Sequence, residues 1–193
     1  MYRVPARYRE CSMTNSHDYC TFLSSGKQDR YRKNFYVRSS ETPRCPHCGR
    51  VLDVVGSRKR KLRKDDGSTT VLIIRRLRCE RCGRVHHELP DMAVPYKRFC
   101  ADTVEEILSH KGKGTYPCES STAARLRIWF SLLRGYWEGA LSALKNLHKQ
   151  DEQLQLMLLS LTPVQPSRLA AGWLKKIVRL LVNSCFWLQT RSA

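Results

Sequence analysis

Two short segments constrain this chain more than anything else in it. Cys45-Pro46-His47-Cys48-Gly49 and Cys79-Glu80-Arg81-Cys82-Gly83 are each a Cys-x-x-Cys pair followed at once by glycine. That spacing lets a tight turn aim two thiolates at one point, and the glycine accepts a backbone shape that a side chain would hinder. Two such knuckles supply four sulfur ligands, the number that a closed tetrahedral structural zinc site needs. Thirty residues separate Cys48 from Cys79. The spacer in simple four-cysteine patterns is shorter, about 15–20 residues, so a long hairpin is expected between the knuckles. A thioredoxin-type redox site needs one Cys-x-x-Cys beside a βαβ pattern, and neither condition holds. The expected cofactor is therefore one structural Zn2+ on Cys45, Cys48, Cys79 and Cys82. Metal binding would supply much of the folding free energy of so small a unit.

Charge bears on the partner. The 193 residues carry a formal net charge of +18. Residues 1–99 hold 23 basic and 10 acidic groups, so most of the excess lies in the half that contains the knuckles. Such a field favours a polyanion. Arg3 and Arg7 open the chain where a leader would be apolar, and the longest uncharged apolar stretch, Leu180 to Leu188, is too short to span a bilayer. An intracellular, cytoplasmic setting is expected, with no membrane. There cysteines serve metals more often than disulfides.

Residues 1–43 read as a basic, poorly ordered arm. Tyr2, Tyr8, Tyr31, Phe35 and Tyr36 interleave with Arg3, Arg7, Arg9, Arg30 and Arg32. That pattern can stack on and neutralise a nucleic-acid strand, or be a solvated tail. Cys11, His17 and Cys20 are three scattered candidate ligands.

Residues 44–91 read as a zinc ribbon. Val51 to Val55 is a short strand, Asp65-Asp66-Gly67 a turn, and Thr69 to Arg78 a second strand. Val71, Ile73 and Leu77 share one face, while Leu72, Ile74, Arg76 and Arg78 share the other. The basic run Arg58-Lys59-Arg60-Lys61 lies along the hairpin. It is read as a phosphate contact, the alternative being a charged guard on a sheet edge. His86 and His87 are assigned to the surroundings of the metal or to the surface, with a histidine in place of one cysteine ligand as the lesser alternative.

Residues 92–134 read as helix-turn-helix-like. Ala101 to His110 is one helix, with Val104, Ile107 and Leu108 on its apolar face. Lys111 to Pro117 breaks it. A second helix starts near Ser120 or Ser121 and carries Leu126, Trp129, Phe130 and Leu133 on one side. In that arrangement Ser121, Thr122, Arg125 and Arg127 are the nucleic-acid-binding candidates, arginine being the usual reader of guanine. The alternative is a plain helical hairpin with Trp129 in its core. Residues 135–193 read as further helices, at Tyr136 to Gln150, at Glu152 to Leu161, and from Ser167 to about Gln189.

Several stretches carry a resemblance. They are Cys-Pro-x-Cys-Gly, Gly56-Ser57-Arg58-Lys59-Arg60, Arg75-Arg76-Leu77-Arg78-Cys79, His86-His87-Glu88-Leu89-Pro90-Asp91 leading to Pro95-Tyr96-Lys97-Arg98, and the ending Trp187-Leu188-Gln189-Thr190-Arg191-Ser192. Together they resemble an uncharacterised bacterial domain-of-unknown-function family. That family is similar to the zinc-ribbon and helix-turn-helix front ends of insertion-sequence transposases. The resemblance covers about residues 44–134 and implies zinc on the same four cysteines. It brings no assigned activity.

The fold class expected is α+β: a four-cysteine zinc ribbon followed by an all-α region. No enzyme is expected, since the acids past residue 100 fall in or at the ends of helices and no strand-borne cluster gathers a metal for catalysis. The function expected is zinc-dependent binding of double-stranded DNA, related to mobile-element or regulatory proteins. The alternatives are an RNA-binding zinc ribbon and a protein-interaction adaptor, and oligomerisation is left open.

Overall fold

The computed structural model describes residues 34–37, 42–109 and 116–187. The chain divides into two compact units. One runs to Arg63 and resumes over Thr69–Asp91. The other takes the hairpin turn Lys64–Ser68 together with everything from Met92 onward. The candidate metal ligands Cys11, His17 and Cys20, and most of the basic arm, lie outside the described residues.

The first unit is a sheet of four strands, β1 (Asn34–Tyr36), β2 (Asp53–Arg63), β3 (Thr69–Arg78) and β4 (Val85–His87). β3 is central. β2 pairs antiparallel along one edge, while β1 (parallel, opposite Val71–Ile73) and β4 (antiparallel, opposite Arg76–Arg78) share the other edge end to end. Among the described residues the ribbon has four strands rather than two, because Asn34–Tyr36 and Val85–His87 each add a short piece to the β3 edge. The first long strand runs from Asp53 through the whole basic run to Arg63, while Val51 makes only an isolated bridge to Arg44.

Both faces of β3 are used. Thr70, Leu72 and Ile74 are buried on one face, beside Leu62 of β2. Leu77 is buried on the other, in a cluster with Leu52, Cys45 and Cys79. A register shift between Val54 and Gly56 marks where the hairpin passes into the metal end, as a bulge does when it leaves one residue without a partner. The turn falls at Asp65-Asp66-Gly67. Lys64 N–H donates to Ser68 O at 2.9 Å, and Gly67 has φ +76°, a value that favours glycine.

The second unit is helical: α1 (Ala101–Ser109), α2 (Ser120–Leu147), α3 (Glu152–Leu161) and α4 (Trp173–Asn183). Leu126, Trp129, Phe130 and Leu133 are buried on α2 as their spacing implies. The Phe130 ring meets Trp137 and Trp173 edge-on at 5.8 and 5.9 Å. α2 does not stop before Gly135 but continues through Tyr136 to Leu147, so the separate helix expected from Tyr136 is part of it. α1 ends at Ser109 and α2 begins at Ser120, and residues 110–115 lie outside the described residues, so the short turn of a helix-turn-helix is not seen between them. α3 begins as expected, with the Asp151 carboxylate accepting from Leu154 N–H at 3.0 Å. α4 starts later than Ser167 and ends well before Gln189. Its N-cap is Gly172, in a left-handed conformation with no capping side chain of its own.

Candidate metal centre and basic hairpin

Each knuckle is built by the same backbone bonds. Gly49 N–H donates to Cys45 O and Gly83 N–H to Cys79 O, both at 2.8 Å. Cys45 N–H donates to Arg50 O at 2.6 Å and Cys79 N–H to Arg84 O at 2.9 Å. Gly49 and Gly83 have φ of +73° and +66°, where a Cβ would be strained. The likeness runs further than Cys-x-x-Cys-Gly. Arg44 to Val51 and Arg78 to Val85 both read Arg-Cys-x-x-Cys-Gly-Arg-Val, and in both the outer arginine bridges the closing valine. The site is thus one eight-residue turn used twice.

The two turns bring four Sγ atoms within 4.8 Å of one another. Cys48 Sγ and Cys79 Sγ are 3.5 Å apart. A disulfide would bring sulfurs to about 2.05 Å. Tetrahedral thiolates at a zinc–sulfur distance of about 2.3 Å stand about 3.8 Å apart. The spacing therefore suits a shared metal ion, and all seven described cysteines are free thiols. Cys45 and Cys79 are buried while Cys48 and Cys82 are half-buried, so the ion would be enclosed on the side of Leu52 and Leu77.

Thiols this close cannot all ionise without a cation between them. The Arg50 backbone N–H, then the Cys82 thiol, draw Cys48 down to about 7. Hydrogen bonding to Cys48, then burial, pushes Cys82 up to about 12. Burial also raises Cys45. Without metal, one thiolate would be held among protonated partners. A divalent ion would take the place of those protons and leave about two net negative charges on the four sulfurs. His86 Nε2 stands 3.6 Å from Cys45 Sγ, close enough for an N–H···S bond that offsets part of that charge. His86 sits on β4 opposite Leu77, which carries its ring toward the knuckle.

The basic run is split by strand alternation. Arg58 and Arg60 lie opposite Ile74 and Leu72, whereas Lys59 and Lys61 lie opposite Ile73 and Val71, so the two pairs point from opposite faces of the sheet. Beside the hairpin, Arg75 grips Glu88 with two parallel bonds, Nη2 to Oε1 at 2.7 Å and Nε to Oε2. Glu88 N–H also donates to Arg75 O at 3.0 Å. This fork ties the exit of β4 to β3, and it raises the Arg75 pKa further above its ordinary value.

In the second unit, Ser121 and Arg125 are exposed on the first turns of α2 and Thr122 is half-buried. Ser121 Oγ donates to Glu119 Oε2 at 3.3 Å, and Arg125 Nη2 donates to Thr122 Oγ1 at 3.2 Å. Arg127 has a structural engagement: its Nε donates to Ile107 O at 3.2 Å and its guanidinium stands over the Tyr116 ring. It ties α2 back to the end of α1. Arg76, close in the sheet to Arg58, was not among the candidates from sequence. Its signal was its place beside Gly56 in the hairpin register.

Among the described residues no helix is long and apolar enough to cross a membrane. No curated protein and no solved structure matches the chain. Residues 45–126, which start at the first sulfur ligand and take in both knuckles, the hairpin, α1 and the first turns of α2, match the model of a domain of unknown function (DUF6431).

Proposed function

We propose that this chain is a zinc-stabilised nucleic-acid-binding protein, with one structural ion on Cys45, Cys48, Cys79 and Cys82 and double-stranded DNA as its partner. The observation that carries the reading is the joining of two features in one unit: a four-sulfur cluster, and an eleven-residue strand, β2, that leads out of it carrying Arg58, Lys59, Arg60, Lys61 and Arg63. A metal fixes the base of the hairpin, and the hairpin holds its cations at set spacing for a phosphate backbone. This is the arrangement expected of a front end like that of the insertion-sequence transposases, acting by binding and not by catalysis.

Four carboxylates of the helical unit serve the fold, which fits a binding role. Asp102 pairs with Lys175 at 2.7 Å, Glu138 with Arg134 at 3.2 Å, and Asp151 and Glu105 accept from helix N-termini.

The protein-adaptor reading is favoured by a different observation. Ile128 and Leu132 on α2 are 60% and 77% exposed, an apolar stripe suited to another polypeptide. Salt separates the two. Metal-loaded protein titrated with a labelled random DNA duplex should bind more weakly as salt rises, with a linear log–log slope, and should lose binding when a chelator strips the metal. Binding to the duplex that ignores both salt and chelator would overturn the DNA reading.

A further inference from the structure

Within the nucleic-acid-binding reading, we propose that the phosphodiester backbone is held at one particular place on the sheet, by Arg58 and Arg60 of β2, Arg76 of β3 and His87 of β4, and not by the basic run as a whole. The inference rests on that reading and names its contact site.

Register puts these four side chains together. Gly56, Arg76 and His87 form one row across three strands, because Gly56 pairs with Arg76 and Arg76 with His87. Arg58, opposite Ile74, and Arg60, opposite Leu72, are the next two same-face positions along β2. Directly opposed and diagonal neighbours on one sheet face lie within reach of long side chains. The four residues belong to three strands, so a linear run of basic residues does not describe them.

The row has space above it. Gly56 puts no side chain beside Arg76, and a Cβ built there would meet nothing within 4 Å. The opening is flanked by guanidiniums, whose planar forks fit phosphate oxygens. Arg58, Arg76 and His87 are exposed and Arg60 is half-buried. Of the nearby acids, Glu88 is committed to Arg75, whose side chain points from the opposite face, and Asp53 lies opposite Arg78, one row further toward the metal end.

The electrostatics agree with the geometry. Partial burial, then the positive charges of Arg58, Arg76, Arg60 and His86, hold the His87 imidazole below its ordinary pKa. Like charges so close that one suppresses the protonation of another form a focus of positive potential that an anion relieves.

Strand alternation supplies the test. Two double variants remove the same charge from the same hairpin: Arg58→Gln with Arg76→Gln from this face, and Lys59→Gln with Lys61→Gln from the other. Metal content and circular dichroism establish that each is folded. Binding of the metal-loaded full chain to a labelled random DNA duplex is measured across a salt series by fluorescence anisotropy. The arginine pair should lose about tenfold or more in affinity at low salt, with the salt slope reduced by about two. The lysine pair should change affinity by less than about threefold, since charges on the far face contribute only through the general field. Equal losses from the two pairs, in a wild type that still binds with a steep salt slope, would overturn the site and leave the nucleic-acid reading standing. A wild type that fails to bind the duplex at low salt would overturn both.

Discussion

Glu105 on α1 accepts a hydrogen bond from the backbone N–H of Leu174, at 3.0 Å, and so caps a helix that begins far along the chain. Its other carboxylate oxygen accepts from Gly172 N–H at 2.7 Å. α4 has no capping side chain of its own, and the first N–H groups of any helix lack intrahelical partners. The carboxylate also meets the positive end of the helix dipole. Glu105→Ala would leave two donors without partners, one buried and one half-buried, at a cost of about 2–4 kcal/mol. The helical unit should then melt on the order of 10 °C lower. Glu105→Gln keeps one acceptor oxygen and should lose roughly half as much. Denaturant titration of the two variants checks this. An unchanged midpoint for Glu105→Ala would mean that the bond does not hold α4.

The two sulfurs of each knuckle should not respond alike to substitution. Cys45 and Cys79 are buried against Leu52 and Leu77, whereas Cys48 and Cys82 are half-buried. Cys79→Ser should prevent the metal unit from folding, because it removes a ligand and leaves a hydroxyl among apolar side chains. Cys82→Ser should retain weaker, more readily chelated metal, since water can reach the vacated position. Cobalt substitution followed by the thiolate-to-metal absorption band reads both. Equal metal affinity in the two serine variants would show that burial of the first cysteine does not matter.

Gly135 and Gly139 sit in the middle of α2, and a Cβ at either would meet nothing within 4 Å. Neither has a positive φ. Glycine in a helix interior costs about 0.5–1 kcal/mol relative to alanine. Gly135→Ala and Gly139→Ala should therefore each stabilise the helical unit by about that amount, and the pair should add. A loss of thermal stability in either variant would show that the glycine is needed for a close approach of another chain to that face.

What was legible in the sequence was what is local. The knuckles could be read because ligand type and left-handed glycine both lie within five residues. The hairpin turn could be read because Asp65-Asp66-Gly67 is turn chemistry. β1 and β4 were not, because three-residue strands have no period and exist only by pairing with β3. The full length of β2 is not legible, because Arg58 to Lys61 is polar on both faces and shows no alternation in hydrophobicity. The continuity of α2 past Gly135 is not legible either, because glycine disfavours helix, yet burial of Trp137, Leu141 and Leu144 carries the helix through. The start of α4 depends on a carboxylate 67 residues away, which no local pattern contains. The phosphate-site candidates were the most altered. A run of four basic residues looks like one patch until alternation separates them and register brings in Arg76 and His87.

His87 gives that face a dependence on pH. Partial burial, followed by the charges of Arg58, Arg76, Arg60 and His86, favours its neutral form and sets its pKa in the folded protein below the unfolded value of about 6.5. Between those two values the unfolded chain binds more protons than the folded one. Stability should therefore fall as pH drops from about 6.5 through the depressed folded value. A phosphate on the same face reverses the sign for binding, because it favours imidazolium and draws a proton onto the complex. Affinity for a DNA duplex should then rise over the same fall in pH, while the free protein grows less stable. His87→Gln removes both contributions. In anisotropy titrations from about pH 8 to pH 6 at fixed salt, wild type should gain affinity on acidification and His87→Gln should gain less. Identical pH profiles would show that no phosphate comes near His87.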